Sequence, residues 1–264
     1  MKVPKPKTPK SSKLKLGKLP KRVDPRTFKL SKYLKTSELP AAPPAVDWSK
    51  SVANYGMLLN DQLGDCVIAG MMHLAMGWQA DAGHPPVVPS DQEVIAAYSA
   101  IGGYNPSDPS TDRGCNMLDA LNYWRNTGIS IGAKNNRIAA FAEVDLSNAA
   151  EVKSALWLFG GLFTGFQMPL SAQNADSWTV PARGLRGRGK PGSWGGHCAP
   201  LAAEDANGGF RAITWGELMP TTQDFVADYC EEAYAVLSTA WIEQNGKAPC
   251  GFNLAALQSD LADL

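Results

Sequence analysis

The chain has 264 residues, of which 44% are apolar and eight are Trp, enough to bury the core of one large domain or two small ones. It contains no uninterrupted apolar run of about 18 residues, and its N-terminal lysines precede no apolar stretch. We therefore predict no membrane span or secretory signal and expect a cytoplasmic or particle-associated protein. Five cysteines without CxxC spacing argue against a disulfide framework and a zinc site, and we expect no metal or other cofactor.

The formal net charge of zero conceals a strong asymmetry along the chain. Residues 1–35 contain 13 Lys and Arg against one acid, which leaves 12 bases and 24 acids for residues 36–264. Residues 1–21 mix lysine with Pro, Ser, Thr and Gly and are expected to be disordered in isolation. They could form a flexible arm that folds back on the acidic body, or a tether that contacts nucleic acid or another polyanion through residues 1–35.

Three domain segments follow from composition. Residues 1–40 form the basic arm and a Pro-rich linker, residues 41–245 form the folded domain, and residues 246–264 form an extension that packs on it.

Helices dominate the first half of this domain. Residues 66–80 are apolar all round and lack Pro, which predicts a buried helix. Ser90 and Glu93 have capping-box spacing and open a second helix through about Ala100. A third helix is predicted at 115–127, and helical periodicity returns at 148–159.

Strands dominate the second half. Residues 162–168 have a strand-like pattern, and the stretches that begin at His197 and Phe210 flank an Asn-Gly-Gly turn typical of a hairpin. Residues 224–241 indicate a helix or a helix followed by a strand. Helices early and strands late predict an α+β fold.

One cysteine and one histidine are placed for nucleophilic chemistry. A cysteine nucleophile needs thiolate character, which a helix N-terminus and a nearby imidazolium both supply. Cys66 begins the apolar helix, and His197 follows a glycine-bearing stretch and opens a strand, so its ring could face that helix across a cleft.

Around these residues the chain resembles the papain-like cysteine peptidases, including their calpain branch. In chain order the matching segments are VDW at 46–48, NDQLGDC at 60–66, AEVKSALWLFGGLFTGFQM at 150–168, GGHCAPLAAED at 195–205 and ITWGE at 213–217. Trp215 lies 18 residues beyond His197, as in the family pattern. The resemblance implies a two-lobe fold, with a helical N-terminal lobe, a β-rich C-terminal lobe and the active-site cleft between them.

The resemblance also implies a role for each matching residue. Cys66 would attack a carbonyl carbon while His197 holds the thiolate as an ion pair and then protonates the leaving group. The backbone N–H of Cys66 and a side-chain amide would stabilise the oxyanion. The family places a Gln amide where this chain has Asn60, so Asn60 or the nearby Gln62 is the expected donor.

The third member of the site departs from the family pattern. The family's histidine-orienting Asn lies two residues before the Trp, where this chain has Ile213, which cannot accept a hydrogen bond. The remaining candidates are Thr214, Asp205 and Glu204, although strand alternation is expected to turn Thr214 to the opposite face unless a bulge intervenes. Trp215 would shield the histidine from water.

Two further expectations complete the sequence prediction. Asp65 is expected to cap the helix that begins at Cys66. The first 40 residues are too short to resemble the family's inhibitory prodomain, so no zymogen is predicted.

Three functions remain open from the sequence. The first is a thiol protease, a hydrolase that cleaves peptide or isopeptide amides in a protein substrate with a Cys-His dyad and no cofactor. The second is a weakly active or inactive papain-like module, for example a phage or virus-like particle component tethered by its basic arm. The third is acyl transfer to an amine.

Overall fold

A computed structural model of the chain describes residues 14–34, 41–238 and Ser259. Its helices are α1 (Cys66–Asp81), α2 (Asp91–Gly102), α3 (Met117–Asn126), α4 (Ala149–Phe159) and α5 (Gln223–Tyr229). None of the helices within these residues is long and apolar enough to cross a membrane.

Side-chain caps explain where most of these helices begin. Ser90 and Glu93 form the predicted capping box of α2, and the side chain of Asn116 accepts N–H groups from the first turn of α3. Asn148 caps α4 and Thr222 caps α5 in the same way. The caps thus satisfy first-turn N–H groups that a helix leaves unpaired.

Ten strands form three antiparallel sheets in the described residues. The strands are β1 (Val46–Asp47), β2 (Ile129–Ile131), β3 (Lys134–Asn136), β4 (Ile138–Glu143), β5 (Phe163–Met168), β6 (Gly195–Cys198), β7 (Leu201–Glu204), β8 (Phe210–Thr214), β9 (Glu217–Thr221) and β10 (Cys230–Ser238). The orders are β1-β7-β8-β9, β4-β10-β5-β6 and β2-β3. The β7–β8 pair is the hairpin predicted from the turn. With five helices, these sheets confirm the α+β class.

The β4-β10-β5-β6 sheet is buried on both faces. On β10, Tyr234 and Val236 pack into the cluster that contains α1, α2 and α3, while Ala233 and Leu237 pack into the cluster that contains α4 and α5. This alternation explains why the strand is a nearly continuous apolar run. The N-terminus of α1 packs against β6 of this sheet, and the candidate site lies at that contact.

Residues 14–34 pack on the folded body. Leu30 and Tyr33 are buried in the same cluster as α4 and β10, so one core spans the segment boundary predicted at residues 40–41. Bases of this stretch pair with acids of the body, as Lys21 and Lys29 do with Glu143. The described part of the arm folds back on the acidic body, which is one of the two roles considered for it. Residues 1–13 and all of the predicted 246–264 extension except Ser259 lie outside the described residues.

Candidate active site

Cys66 is the first residue of α1 and is buried, with 1% of its surface exposed. Its sulfur accepts the backbone N–H of Cys198, on β6, with 3.4 Å between N and Sγ. The Cys198 side chain itself packs in the core beside α1. Cys66 therefore lies where the end of β6 meets the N-terminus of α1, and the dipole of that helix favours a negative sulfur.

His197 is held rigidly on β6. Its Nε2 lies 2.7 Å from Thr214 Oγ1, and its ring stacks on Trp215 with centroids 4.4 Å apart. Trp178 contacts the imidazole ring edge-on at 6.2 Å. The other ring nitrogen, Nδ1, is buried and has no hydrogen-bond partner in the described part of the chain. One nitrogen is thus fixed while the other is available for proton transfer.

Thr214 takes the orienting position because of the turn that follows it. Thr214 pairs with Glu217, so Trp215 and Gly216 form a two-residue hairpin loop, with φ of 47° and 76°. Positive φ at Trp costs about 1–2 kcal/mol, and here it accompanies the placement of the indole against His197. The expectation that alternation turns Thr214 away was wrong, because Ile213 instead packs in a separate cluster with Tyr55 and Met76.

Burial keeps the thiol and the imidazole neutral in this state. Burial is the largest cause that raises the pKa of Cys66 to about 12, outweighing the N–H groups of Cys198 and Gly17 that lower it. Burial also lowers the pKa of His197 to about 3. A thiolate-imidazolium pair is therefore disfavoured until water reaches the site.

The site is buried because residues from the N-terminal part of the chain lie over it. Residues 14–19, which we call the cleft segment, run between the Cys66 loop and β6. The N–H of Lys18 donates to Gly196 O at 3.1 Å, and Cys115 accepts from Leu19 and donates to Gly17 O at 2.9 and 2.8 Å. The Trp215 indole donates to Lys15 O at 3.2 Å. No zymogen was predicted, yet the segment covers the nucleophile.

Gly17 packs against Gly64 in the loop that precedes the nucleophile. Its N–H is near enough to lower the pKa of the Cys66 thiol, while its carbonyl accepts the N–H of Cys115. A Cβ at Gly17 would lie 1.7 Å from Gly64 O and 2.3 Å from Gly64 C, so only glycine fits against this backbone. The segment is thus packed against the backbone two residues before Cys66, and its Gly17 carbonyl is bonded to Cys115.

The two amides considered for the oxyanion are placed differently. Asn60 is buried, and its Nδ2 donates to Asp65 Oδ1 at 3.0 Å and to Leu63 O at 3.2 Å. Gln62 is exposed beside the same loop. The predicted cap by Asp65 is wrong, because this carboxylate makes no side-chain bond to the helix N-terminus and accepts from Asn60 instead.

The carboxylates considered for orienting His197 lie elsewhere. Asp205 accepts the N–H groups of Asn207 and Gly209 in the β7–β8 turn, and Glu204 lies 3.8 Å from Lys153. Both are at the far end of β8 from Thr214, a distance of roughly 13 Å along a five-residue strand. Neither residue joins the site, and Thr214 alone of the candidates contacts the imidazole.

A cavity of about 930 Å³ lies away from this chemistry. It is lined by residues of β1, β7, β8 and β9 and of the loops beside them, and neither Cys66 nor His197 contributes to it. The site is not open space because the cleft segment fills it.

Comparison with solved structures identifies the fold. Xylellain, a cysteine protease from Xylella fastidiosa, is 15% identical with a TM-score of 0.66, covering 86% of this chain and 97% of xylellain. Procathepsin B from Trypanosoma congolense is 10% identical with a TM-score of 0.60, covering 85% and 86%. Procathepsin L 3 from Tenebrio molitor larval midgut is 14% identical with a TM-score of 0.54, covering 80% and 76%.

Sequence comparison adds no relative, since no family model and no curated protein matches the chain. The structural likeness is nevertheless consistent across these proteases. The chain has the fold of the papain-like cysteine proteases, as its motifs predicted.

Proposed function

We propose that the protein is a papain-type cysteine hydrolase that cleaves peptide or isopeptide amides through Cys66 and His197. The observation that carries the proposal is the fixation of His197. Thr214 and Trp215 hold the imidazole on β6, its Nδ1 has no partner among the described residues, and the N–H of the next residue contacts the Cys66 sulfur. A merely structural histidine would be expected to satisfy both ring nitrogens.

The proposed reaction requires the cleft segment to leave first. His197 Nδ1 then takes the thiol proton, Sγ forms a bond to the substrate carbonyl carbon, and the carbonyl oxygen becomes an oxyanion near the N–H of Cys66. The imidazolium returns its proton to the leaving amine as the C–N bond breaks. Water, deprotonated by His197, hydrolyses the thioester and regenerates the thiol.

Asn60 and Gln62 take separate roles in this proposal. The Asn60 amide is engaged with Asp65 and Leu63, so Asn60 positions the loop before Cys66. Gln62 is the side-chain amide left to reach the oxyanion. We expect Gln62→Ala to lower kcat by about 10²-fold without loss of stability, because removing one such donor costs that much.

The test is amide hydrolysis by the full chain in which Gly17→Ala displaces the cleft segment. We expect release of aminomethylcoumarin from peptide amides, and loss of that release when Cys66→Ser or His197→Ala is added. If Gly17→Ala leaves Cys66 accessible but no peptide amide, isopeptide or protein substrate is cleaved, the hydrolase proposal fails and the alternative of a papain-like interaction module is favoured.

A further inference from the structure

The side chain of Lys18 fills a closed acidic pocket beside the nucleophile. Its Nζ is 2.9 Å from Glu232 Oε1 and also bonds to Glu231 and to Leu19 O. The side chains of Lys18 and Glu232 are both 0% exposed, whereas that of Glu231 is 24% exposed. Burial acts to lower the pKa of Lys18, but the two carboxylates outweigh it and raise that pKa, so the group is an ammonium.

Residues of the folded body build this pocket. A Cβ at Gly165 would lie 2.6 Å from Lys18 Cδ and 2.5 Å from Met117 Sδ, so the glycine leaves the channel open for a long stem. Tyr234 donates its hydroxyl to Glu232 Oε2 at 2.9 Å. Gln167 donates to Glu231 Oε2 at 2.8 Å. These donors hold both carboxylates in position independently of the lysine.

The pocket opens next to the reacting atom. Lys18 follows Gly17, which packs against Gly64, two residues before Cys66. Gly165 pairs with Cys198, whose N–H contacts the Cys66 sulfur. The Gly196 carbonyl that receives the Lys18 N–H is a backbone group that an extended peptide of any sequence could use. A peptide in the cleft would therefore present one side chain to the pocket.

We propose that the pocket emptied by Lys18 selects a lysine or arginine side chain of the substrate, at or next to the residue whose amide is cleaved, with Glu232 as the specificity-determining residue. This inference rests on the proposed hydrolase function. An apolar side chain would leave the Glu232 carboxylate buried without a counter-ion, a situation that costs about 10²-fold or more in binding. Arginine fits as well, because its planar fork can engage both carboxylates.

The test compares dipeptidyl aminomethylcoumarides that carry lysine or norleucine at each position, cleaved by the Gly17→Ala chain. Norleucine keeps the stem and lacks the ammonium, so the comparison needs no change in the pocket. We expect kcat/KM to favour lysine by about 10²-fold at one position. We expect Glu232→Gln to reduce this preference at least tenfold and Glu231→Gln, at the partly exposed partner, to reduce it much less.

A binding measurement separates this inference from the hydrolase proposal. The Gly17→Ala/Cys66→Ser chain is titrated by calorimetry with acetyl-Leu-Gly-Lys-Leu amide and with its norleucine counterpart. Tighter binding of the lysine peptide, lost in Glu232→Gln, supports the pocket even if no substrate is cleaved. Equal binding of the two peptides, or cleavage without a preference for lysine or arginine, overturns it.

Discussion

Replacing Gly17 with alanine is the sharpest test of how the cleft is closed. The added Cβ would lie 1.7 Å from the backbone oxygen of Gly64. A Cβ is fixed by its own backbone, so no change of rotamer can relieve this overlap. The cleft segment must therefore move away from Gly64. We expect Gly17→Ala to expose Cys66 in a chain that remains folded.

The size of the effect follows from the bonds that the segment loses. Four backbone hydrogen bonds join residues 15–19 to Asn60, Gly196 and Cys115. At about 0.5–1.5 kcal/mol net for each bond, their loss removes about 2–6 kcal/mol from the closing free energy. This range corresponds to an increase of about 30-fold to 10⁴-fold in the open population, up to the limit of a fully open chain.

The assay is the rate at which iodoacetamide modifies Cys66, followed by peptide mass mapping at about pH 6. A free thiol of pKa near 8.5 reacts slowly at this pH, so fast modification also reports the proposed ion pair. The buried cysteines Cys198 and Cys230, which make no backbone bond to the cleft segment in the described residues, report global unfolding in the same sample.

Gly77→Ala is the matched control. A Cβ at Gly77, in α1, would meet only the Tyr55 hydroxyl at 4.0 Å, an ordinary contact, so this variant should label Cys66 at the wild-type rate. The reasoning is refuted if Gly17→Ala stays folded and labels Cys66 no faster than Gly77→Ala does. It is also refuted if Cys66, Cys198 and Cys230 accelerate together, since that result means global destabilisation.

Three further predictions concern the imidazole and the lysine. Thr214→Val removes the partner of His197 Nε2 and should lower kcat/KM by about 10-fold to 100-fold, with recovery in Thr214→Asn. The control is Thr221→Val, at a buried threonine with a local bond, which should cause no loss. Equal losses in both valine variants would contradict an orienting role. Burial lowers the folded-state pKa of His197 from 6.5 to about 3, so the free energy of unfolding should fall as the pH drops from about 6 to 4. Urea melts of His197→Ala at several pH values should show a dependence of that free energy on pH that is shallower by about 1.4 kcal/mol per pH unit. An identical pH dependence in both chains would exclude a buried neutral imidazole. Lys18→Met leaves Glu232 buried without its counter-ion and should speed Cys66 labelling by about 10²-fold. Adding Glu232→Gln should partly reverse this acceleration. Additive effects of the two changes would contradict an energetic coupling between Lys18 and Glu232.

Local signals in the sequence were sufficient for the helices. The apolar run after Cys66, the Ser90 and Glu93 pair and the periodicity of residues 148–159 are local signals, and the structure has helices there. Strands β2, β3 and β4 were not predicted. β4 pairs with β10, about 90 residues further along, so no local signal marks it. β2 and β3 form a local hairpin, but the polar β3 carries no apolar alternation.

The site was only partly readable for the same physical reason. Cys66 and His197 were predicted from motif order, but the contacts of His197 with Thr214 and Trp215 lie at the Trp215-Gly216 turn, which lacks the Asn-Gly signal of such loops. The cleft segment was hidden by its composition, since lysine and proline predict disorder. The alternation of Leu14 and Leu16 with lysine was a usable signal for an extended segment with one apolar face, and both leucines pack against the core.

The charges of the N-terminus explain why one lysine is expected to control the cleft. The outer pairs of the described N-terminal stretch, such as Lys15 with Asp112 and Arg22 with Asp119, are substantially exposed on at least one side. Exposed pairs contribute about 0–1 kcal/mol and weaken with salt. The Lys18–Glu232 pair has no exposed side chain, so salt screens it little, and breaking it leaves a buried charge. In the proposed mode of recognition, a basic substrate side chain replaces this same ion pair, so opening of the cleft is coupled to recognition of the substrate.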